Sequence, residues 1–262
     1  MLLESDIPSI EGVDTRKITR YLRDNGAKKM LITDIKTPTA QALKMISDYK
    51  EDTSAVSRVS CNKKQYARTA NPKYSVAVVD CGIKHSVITA LNKRGCNLAI
   101  MPYNSSADML EAIKPDGVFV SGGPGKAESI PEVVELIKAL RGKYPICGIG
   151  LGAAVIALAC GAKTVPMLHA HRGGYAVRNL ETNRLESTSQ NHAEALDADS
   201  LIKAGLTITH INAVDKTVEG FADTANKVFA VQYHPESAPG PQDSSYIFDE
   251  FITLIKEGSD NA

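Results

Sequence analysis

The spacing of apolar residues changes twice along this chain. Over residues 13–23 they recur at helical intervals, with Val13, Ile18 and Leu22 on one face. Asp14 or Thr15 is placed to cap that helix and Gly26 to end it. A short strand is predicted at 29–33, and Thr37-Pro38-Thr39 opens a second helix that runs through Tyr49. Residues 51–73 are polar, carry no sustained apolar period and read as a linker closing at Asn71-Pro72-Lys73. From Tyr74 the pattern is different. Ser75-Val76-Ala77-Val78-Val79-Asp80 is a short apolar run of the kind found in strands covered on both faces. Helix 84–93, strand 96–101, helix 106–113, strand 117–121, helix 131–141, strand 144–149 and helix 153–160 follow. This alternation predicts an α/β fold, an open and mostly parallel sheet with helices on both faces. Past Gly161 the helices stop, and 163–236 read as short β segments, including 206–214 and 228–233. A last amphipathic helix at 244–256 turns Ile247, Phe248, Phe251, Ile252 and Ile255 inward.

The composition is consistent with a packed domain and narrows the partners. Hydrophobic residues make up 43%, enough for a sizeable core. Thirty basic and thirty acidic residues cancel, leaving no global field to recruit nucleic acid or an anionic membrane. The lack of Trp also argues against a base-stacking surface. No apolar run approaches the ~20 residues of a membrane span. The start of the chain has neither the basic nor the apolar segment of a signal peptide. Cys61, Cys81, Cys96, Cys147 and Cys160 are odd in number and widely spaced, which suits reduced thiols and a cytoplasmic setting.

In an open parallel sheet, chemistry gathers at the carboxyl ends of the strands. One such end is Ser121-Gly122-Gly123-Pro124-Gly125, readable as a tight turn or as backbone N–H groups arranged for an oxyanion. A second is Cys147-Gly148-Ile149-Gly150-Leu151-Gly152, a sharp strand-to-helix turn with the form of a nucleophile elbow whose central residue is Gly150. A third is Gln232-Tyr233-His234-Pro235-Glu236, where a carboxylate two residues on could orient an imidazole. A lone His before Pro is more often structural than catalytic.

Taken together and in this order, the three resemble the class I, triad-type glutamine amidotransferases, whose domain is flavodoxin-like. Ile10-Glu11-Gly12-Val13-Asp14-Thr15-Arg16, Ser189-Gln190-Asn191-His192 and Pro239-Gly240-Pro241-Gln242-Asp243 narrow the resemblance to the carbamoyl phosphate synthetase small subunit. It implies a partial N-terminal small-subunit domain and linker over 1–70, a small α/β remnant, followed by an amidotransferase-like domain over 71–262. In that family an elbow cysteine attacks the glutamine amide, a His–Glu pair activates it, and the ammonia passes to a synthetase large subunit, with no cofactor in the glutaminase half. The resemblance puts Gly150 at the nucleophile position and His234 with Glu236 at the base and its orienter. Gly123, Gly125 and Leu151 fall at the oxyanion and substrate-backbone positions. Ala154, Asn191, Ala193 and Glu194 fall in the substrate pocket. The large subunit is the implied partner, with a separate N-terminal domain as a further one, because the family carries an additional domain ahead of the segment matched by 10–16.

The departures are as specific as the matches. Where the family elbow reads Gly-Ile-Cys-Leu-Gly-His-Gln, this chain has Gly148-Ile149-Gly150-Leu151-Gly152-Ala153-Ala154. The nucleophile and the substrate-contacting glutamine are absent together. After Asn191-His192 the family has glycine and an aromatic residue; here Ala193 and Glu194 stand, and Glu194 is expected to bring a carboxylate toward the pocket. The expected protein is therefore a small-subunit-like scaffold or regulatory partner, feeding arginine or pyrimidine synthesis, that cannot hydrolyse glutamine. Three other readings compete. An unexpected nucleophile, Cys81 or Cys147, could keep the glutaminase active. Gly148-Ile149-Gly150-Leu151-Gly152-Ala153 also fits a dinucleotide fingerprint, but on a later strand than that motif uses. Finally, Glu194, His192 and His234, flanked by His169 and His171, could form a new site, although their spacing matches no metal-ligand signature and no metal is expected.

Overall fold

The structure, a computed structural model, describes residues 3–259. It divides into two compact units between Asp52 and Thr53.

The smaller unit holds α1 (Thr15–Asn25) and α2 (Thr39–Asp48). The Asp14 side chain accepts from the Lys17 N–H at 2.9 Å, satisfying one of the open donors of the first turn, and Gly26 ends α1 at positive φ. Neither helix buries a residue, so Val13, Ile18 and Leu22 remain exposed. The strand expected at 29–33 does not form. Among the described residues of this unit there is no strand for it to pair with, and an unpaired strand leaves its backbone groups without partners.

The larger unit begins inside the stretch expected as a linker. That stretch carries α3 (Ala55–Val59) and β1 (Gln65–Ala67), and Val56 is buried in the main core. The alternating elements then follow as β2 (Tyr74–Asp80), α4 (His85–Lys93), β3 (Cys96–Pro102), α5 (Ala107–Glu111), β4 (Gly117–Val120), α6 (Pro131–Leu140), β5 (Ile146–Ile149) and α7 (Leu151–Ala159). After them come β6 (Thr164–Asn179), β7 (Leu185–Leu196), α8 (Ala198–Lys203), β8 (Thr207–Asn212), β9 (Val218–Asp223), β10 (Val228–Val231) and α9 (Ile247–Ser259).

All the strands belong to one sheet, in the order β1-β3-β2-β4-β5-β10-β9-β7-β6-β8. From β3 to β10 neighbours run parallel; β1 and the β9-β7-β6-β8 extension are antiparallel. The parallel strands are mostly apolar because both of their faces are covered. Ala77, Val79, Val118, Val120, Ile146 and Ala230 meet α6 and α7 on one face. Val76, Val78, Phe119, Cys147 and Val231 meet α4 and α9 on the other. Expected α/β architecture and observed fold therefore agree. Of the short β segments expected after Gly161, 206–214 and 228–233 form as β8 and β10, while the stretch ahead of them is not fragmented. β6 and β7 form one long hairpin, whose register shifts between Pro166 and His171. Its burial pattern is broken, and that is why no clean alternation marks it in the sequence.

Candidate functional site

Three strand ends meet at one crevice, beside the place where the strand order reverses between β2 and β4. A cavity of about 540 Å³ opens there, with Gly82, Lys84, Gly122, Gly123, Asn191 and His234 among its walls.

Gly150 lies between β5 and α7 at φ 54° and ψ −118°. Its N–H donates to the Val231 carbonyl at 2.9 Å, which ties the turn to β10. A β-carbon built on Gly150 would sit 3.6 Å from His234 Cε1 and 3.7 Å from Gly122 Cα, ordinary contact distances. The elbow thus retains its strained backbone and the space for a β-carbon beside His234. What is lacking is the side chain. Leu151 opens α7, so its N–H has no acceptor within the helix and belongs to the positive helix end. α7 approaches this closely because of Gly152, where a β-carbon would fall 2.3 Å from the Val120 carbonyl oxygen.

His234 follows β10, and its N–H donates to the Ser189 carbonyl of β7 at 2.8 Å. Its Nδ1 lies 3.2 Å from Glu236 Oε1, an ion-pair distance without well-directed hydrogen-bond geometry. The Glu236 carboxylate is wholly buried, with Lys84 Nζ 2.9 Å from the same oxygen. Lys84 Nζ also donates to the Ala238 carbonyl at 2.7 Å. Burial works to raise the Glu236 carboxyl, but His234 and Lys84 outweigh it and hold the group below the usual carboxylate range. The structure therefore brings His234 and Glu236 together, with a lysine the sequence reading missed. Its only signal was its place four residues beyond the end of β2.

The other expected positions separate. Gly123 and Asn191 line the cavity. Gly125, Leu151, Ala154, Ala193 and Glu194 are not among its lining residues; Leu151 and Ala154 are buried in the core cluster against α7's neighbours, and Ala193 is exposed. The expectation that Glu194 brings a carboxylate to the pocket is corrected. β7 pairs Glu194 with Pro166, and its carboxylate lies 3.7 Å from Lys126 Nζ. Arg172 and Ser189 join the wall instead, delivered by the β6–β7 hairpin.

Both candidate replacement thiols are buried away from the cavity. Cys81 and Cys147 are buried in opposite hydrophobic clusters, and burial, helped by Asp80 for Cys81 and Glu250 for Cys147, pushes both thiols far up.

Next to the cavity, whose wall Gln190 shares, the antiparallel extension gathers a different set of side chains from the one anticipated. His171 of β6, His192 of β7 and Glu219 of β9 turn toward one another, and Gln190 joins them. His169 is exposed, and Glu194 contributes only its backbone carbonyl, to His192 Nδ1 at 2.8 Å.

The family described as glutamine amidotransferase class-I matches residues 77–254. The carbamoyl phosphate synthase small chain of Staphylococcus saprophyticus is 43% identical over 98% of this chain and 70% of its own length. The small chain of Listeria monocytogenes is 41% identical over 97% and 70%. The pyrimidine-specific small chain of Bacillus subtilis is 40% identical over 96% and 68%. Among solved structures, a putative GMP synthase subunit of Thermoplasma acidophilum superposes with TM-score 0.60 and 25% identity, over 71% of this chain and 96% of its own. The glutaminase domain of Trypanosoma brucei CTPS with bound acivicin shares the fold at TM-score 0.53 and 18% identity, over 71% and 94%.

Proposed function

This chain belongs to the class I glutamine amidotransferase family and, within it, to the carbamoyl phosphate synthase small chains; from that premise we propose that it does not itself hydrolyse glutamine and serves as a small-subunit-like partner of a synthetase large subunit. One observation carries the reading: position 150 is glycine at an elbow whose backbone turn is kept. His234 and Glu236 can take and hold a proton, but covalent amide cleavage needs an atom that attacks the carbonyl carbon, and residue 150 supplies no sulfur or oxygen. Loss of a triad nucleophile has cost up to ~10⁶ in rate in a serine protease. The buried Cys81 and Cys147 offer no substitute.

The glycine run needs no nucleotide to account for it. Gly150 serves the turn and Gly152 the close approach of α7 to β4. The role left to the chain is docking, as a scaffold or regulatory partner of a large subunit that takes free ammonia. The relatives named as small chains support such a partner.

The test is a glutaminase assay with purified chain, alongside trapping by a glutamine-analogue electrophile and co-purification with a large subunit from the same genome. Expected are no ammonia release above background, no cysteine adduct and a stable complex. Turnover of glutamine with an adduct at any cysteine would overturn the inert reading, and failure to bind the large subunit would overturn the scaffold role.

A further inference from the structure

We propose that His171, His192, Glu219 and Gln190 form a binding site for a divalent transition-metal ion, zinc by preference, that pins β6, β7 and β9 together next to the cavity. The three ionisable residues come from three different strands, and each offers one ligand atom within 4.8 Å of the others. His171 Nδ1 lies 3.2 Å from Glu219 Oε1, and His192 Nε2 lies 3.8 Å from Glu219 Oε2. Nitrogen and oxygen ligands at about 2.0–2.1 Å from a tetrahedral zinc ion are about 3.4 Å apart, so these separations need adjustments of only a few tenths of an ångström. Gln190 Oε1 stands 2.5 Å from His171 Nδ1 and 3.0 Å from His192 Nε2, hydrogen-bond distances in the metal-free protein; to serve as a fourth ligand it draws back from His171 by about 0.9 Å.

Outer contacts orient the donors. His171 Nε2 is 2.7 Å from Asp215 Oδ2, and His192 Nδ1 is 2.8 Å from the Glu194 carbonyl oxygen. A carboxylate and a backbone carbonyl are the groups that hold the outer nitrogen of a metal-bound imidazole, leaving the inner nitrogen's lone pair free to bind. His192 has its outer nitrogen so held; His171 Nδ1 is hydrogen-bonded to Gln190 Oε1 as the ring stands, so a metal ion binding there displaces that proton, and both inner nitrogens face the same carboxylate. Glu219 has its side chain fully buried, and its Oε2 has no hydrogen-bond partner. A buried carboxylate oxygen in that state is costly unless a cation occupies the space in front of it.

Two histidines and a glutamate also make a zinc set in enzymes, but here the donors are enclosed, so the ion's role is structural. The competing occupant of the same space is a proton shared by His171 with Asp215 and Glu219. The two are separated by measurement. Untagged full-length protein, produced in medium supplemented with zinc, is analysed for bound metals, then stripped with a chelator and titrated with zinc and with cobalt(II). About one equivalent per chain is expected, with a rise in Tm on zinc addition and a visible cobalt spectrum of tetrahedral intensity. Asp215→Asn, a surface change that leaves the donors in place, is expected to weaken zinc binding by roughly 10–100-fold. Glu219→Gln is expected to abolish the stoichiometric site. Stoichiometry under about 0.1 with no Tm shift in the unaltered protein would leave only the proton network and overturn the proposal. So would zinc binding of equal strength in Asp215→Asn and the parent, which would place the ion elsewhere. Neither result bears on glutamine hydrolysis or on large-subunit binding.

Discussion

Gly150 and His234 are neighbours at the carboxyl ends of β5 and β10: a β-carbon on residue 150 would contact His234 Cε1 at 3.6 Å. On the proposed reading this is an amidotransferase fold without a nucleophile at position 150, and that reading is testable by reversal.

Gly150→Cys should fold, since nothing lies closer than ordinary contact distance, but at positive φ it should lose about 1–3 kcal/mol, visible as a lower urea midpoint. The new thiol would sit beside His234 at the start of α7 and should react with a glutamine-analogue electrophile at neutral pH, where the parent protein gives no adduct. A folded Gly150→Cys variant whose new thiol stays unreactive would show that the dyad no longer serves this position.

At Gly123 a β-carbon would fall 2.0 Å from the Cys81 carbonyl oxygen, which is backbone and cannot step aside. Gly123→Ala should therefore cost about 1–3 kcal/mol or more, by overpacking the crossing of the β2 and β4 ends. Comparison of urea midpoints with Gly174→Ala, where a β-carbon meets nothing within 4 Å, checks this; equal midpoints would contradict it.

The Glu236 carboxyl is held below its ordinary value of 4.5, burial being outweighed by His234 and Lys84. A group depressed in this way adds stability above its unfolded value and loses it as pH falls through the folded one. The urea midpoint of the parent should exceed that of Glu236→Gln at pH 7, and the gap should narrow toward pH 3. A gap that widens on acidification would reverse the assigned sign.

Phe251 on α9 is fully buried, with its ring centroid 5.8 Å from that of Phe119 on β4. Phe251→Ala should destabilise the larger unit by about 3–5 kcal/mol, seen in denaturant unfolding, because α9 then leaves a void against the sheet. A loss under about 1 kcal/mol would mean that α9 contributes little to that face.

Much of this was legible in the residue order, and the misses have physical causes. The parallel strands announced themselves because both faces are covered, so β2 and β4 read as unbroken apolar runs. Strand 29–33 failed because local β propensity carries no weight without a neighbour to hydrogen-bond with. The β6–β7 hairpin was read as fragments because its faces meet solvent and protein unevenly. Lys84 was missed because nothing local distinguishes a lysine beyond a strand end from a solvated one; only the fold brings Glu236 to it.

The residue order by itself determined what position 150 can never do, because an absent sulfur or oxygen atom is a covalent fact that no folding restores. It also determined the α/β layering, since the burial of strands and helix faces follows from apolar period. Tertiary structure alone decided which polar groups became neighbours. It sent Glu194 toward Lys126 and away from the cavity, and it brought His171, His192 and Glu219 together from three strands. Such meetings depend on strand order and register, which are long-range properties that short-range spacing does not encode.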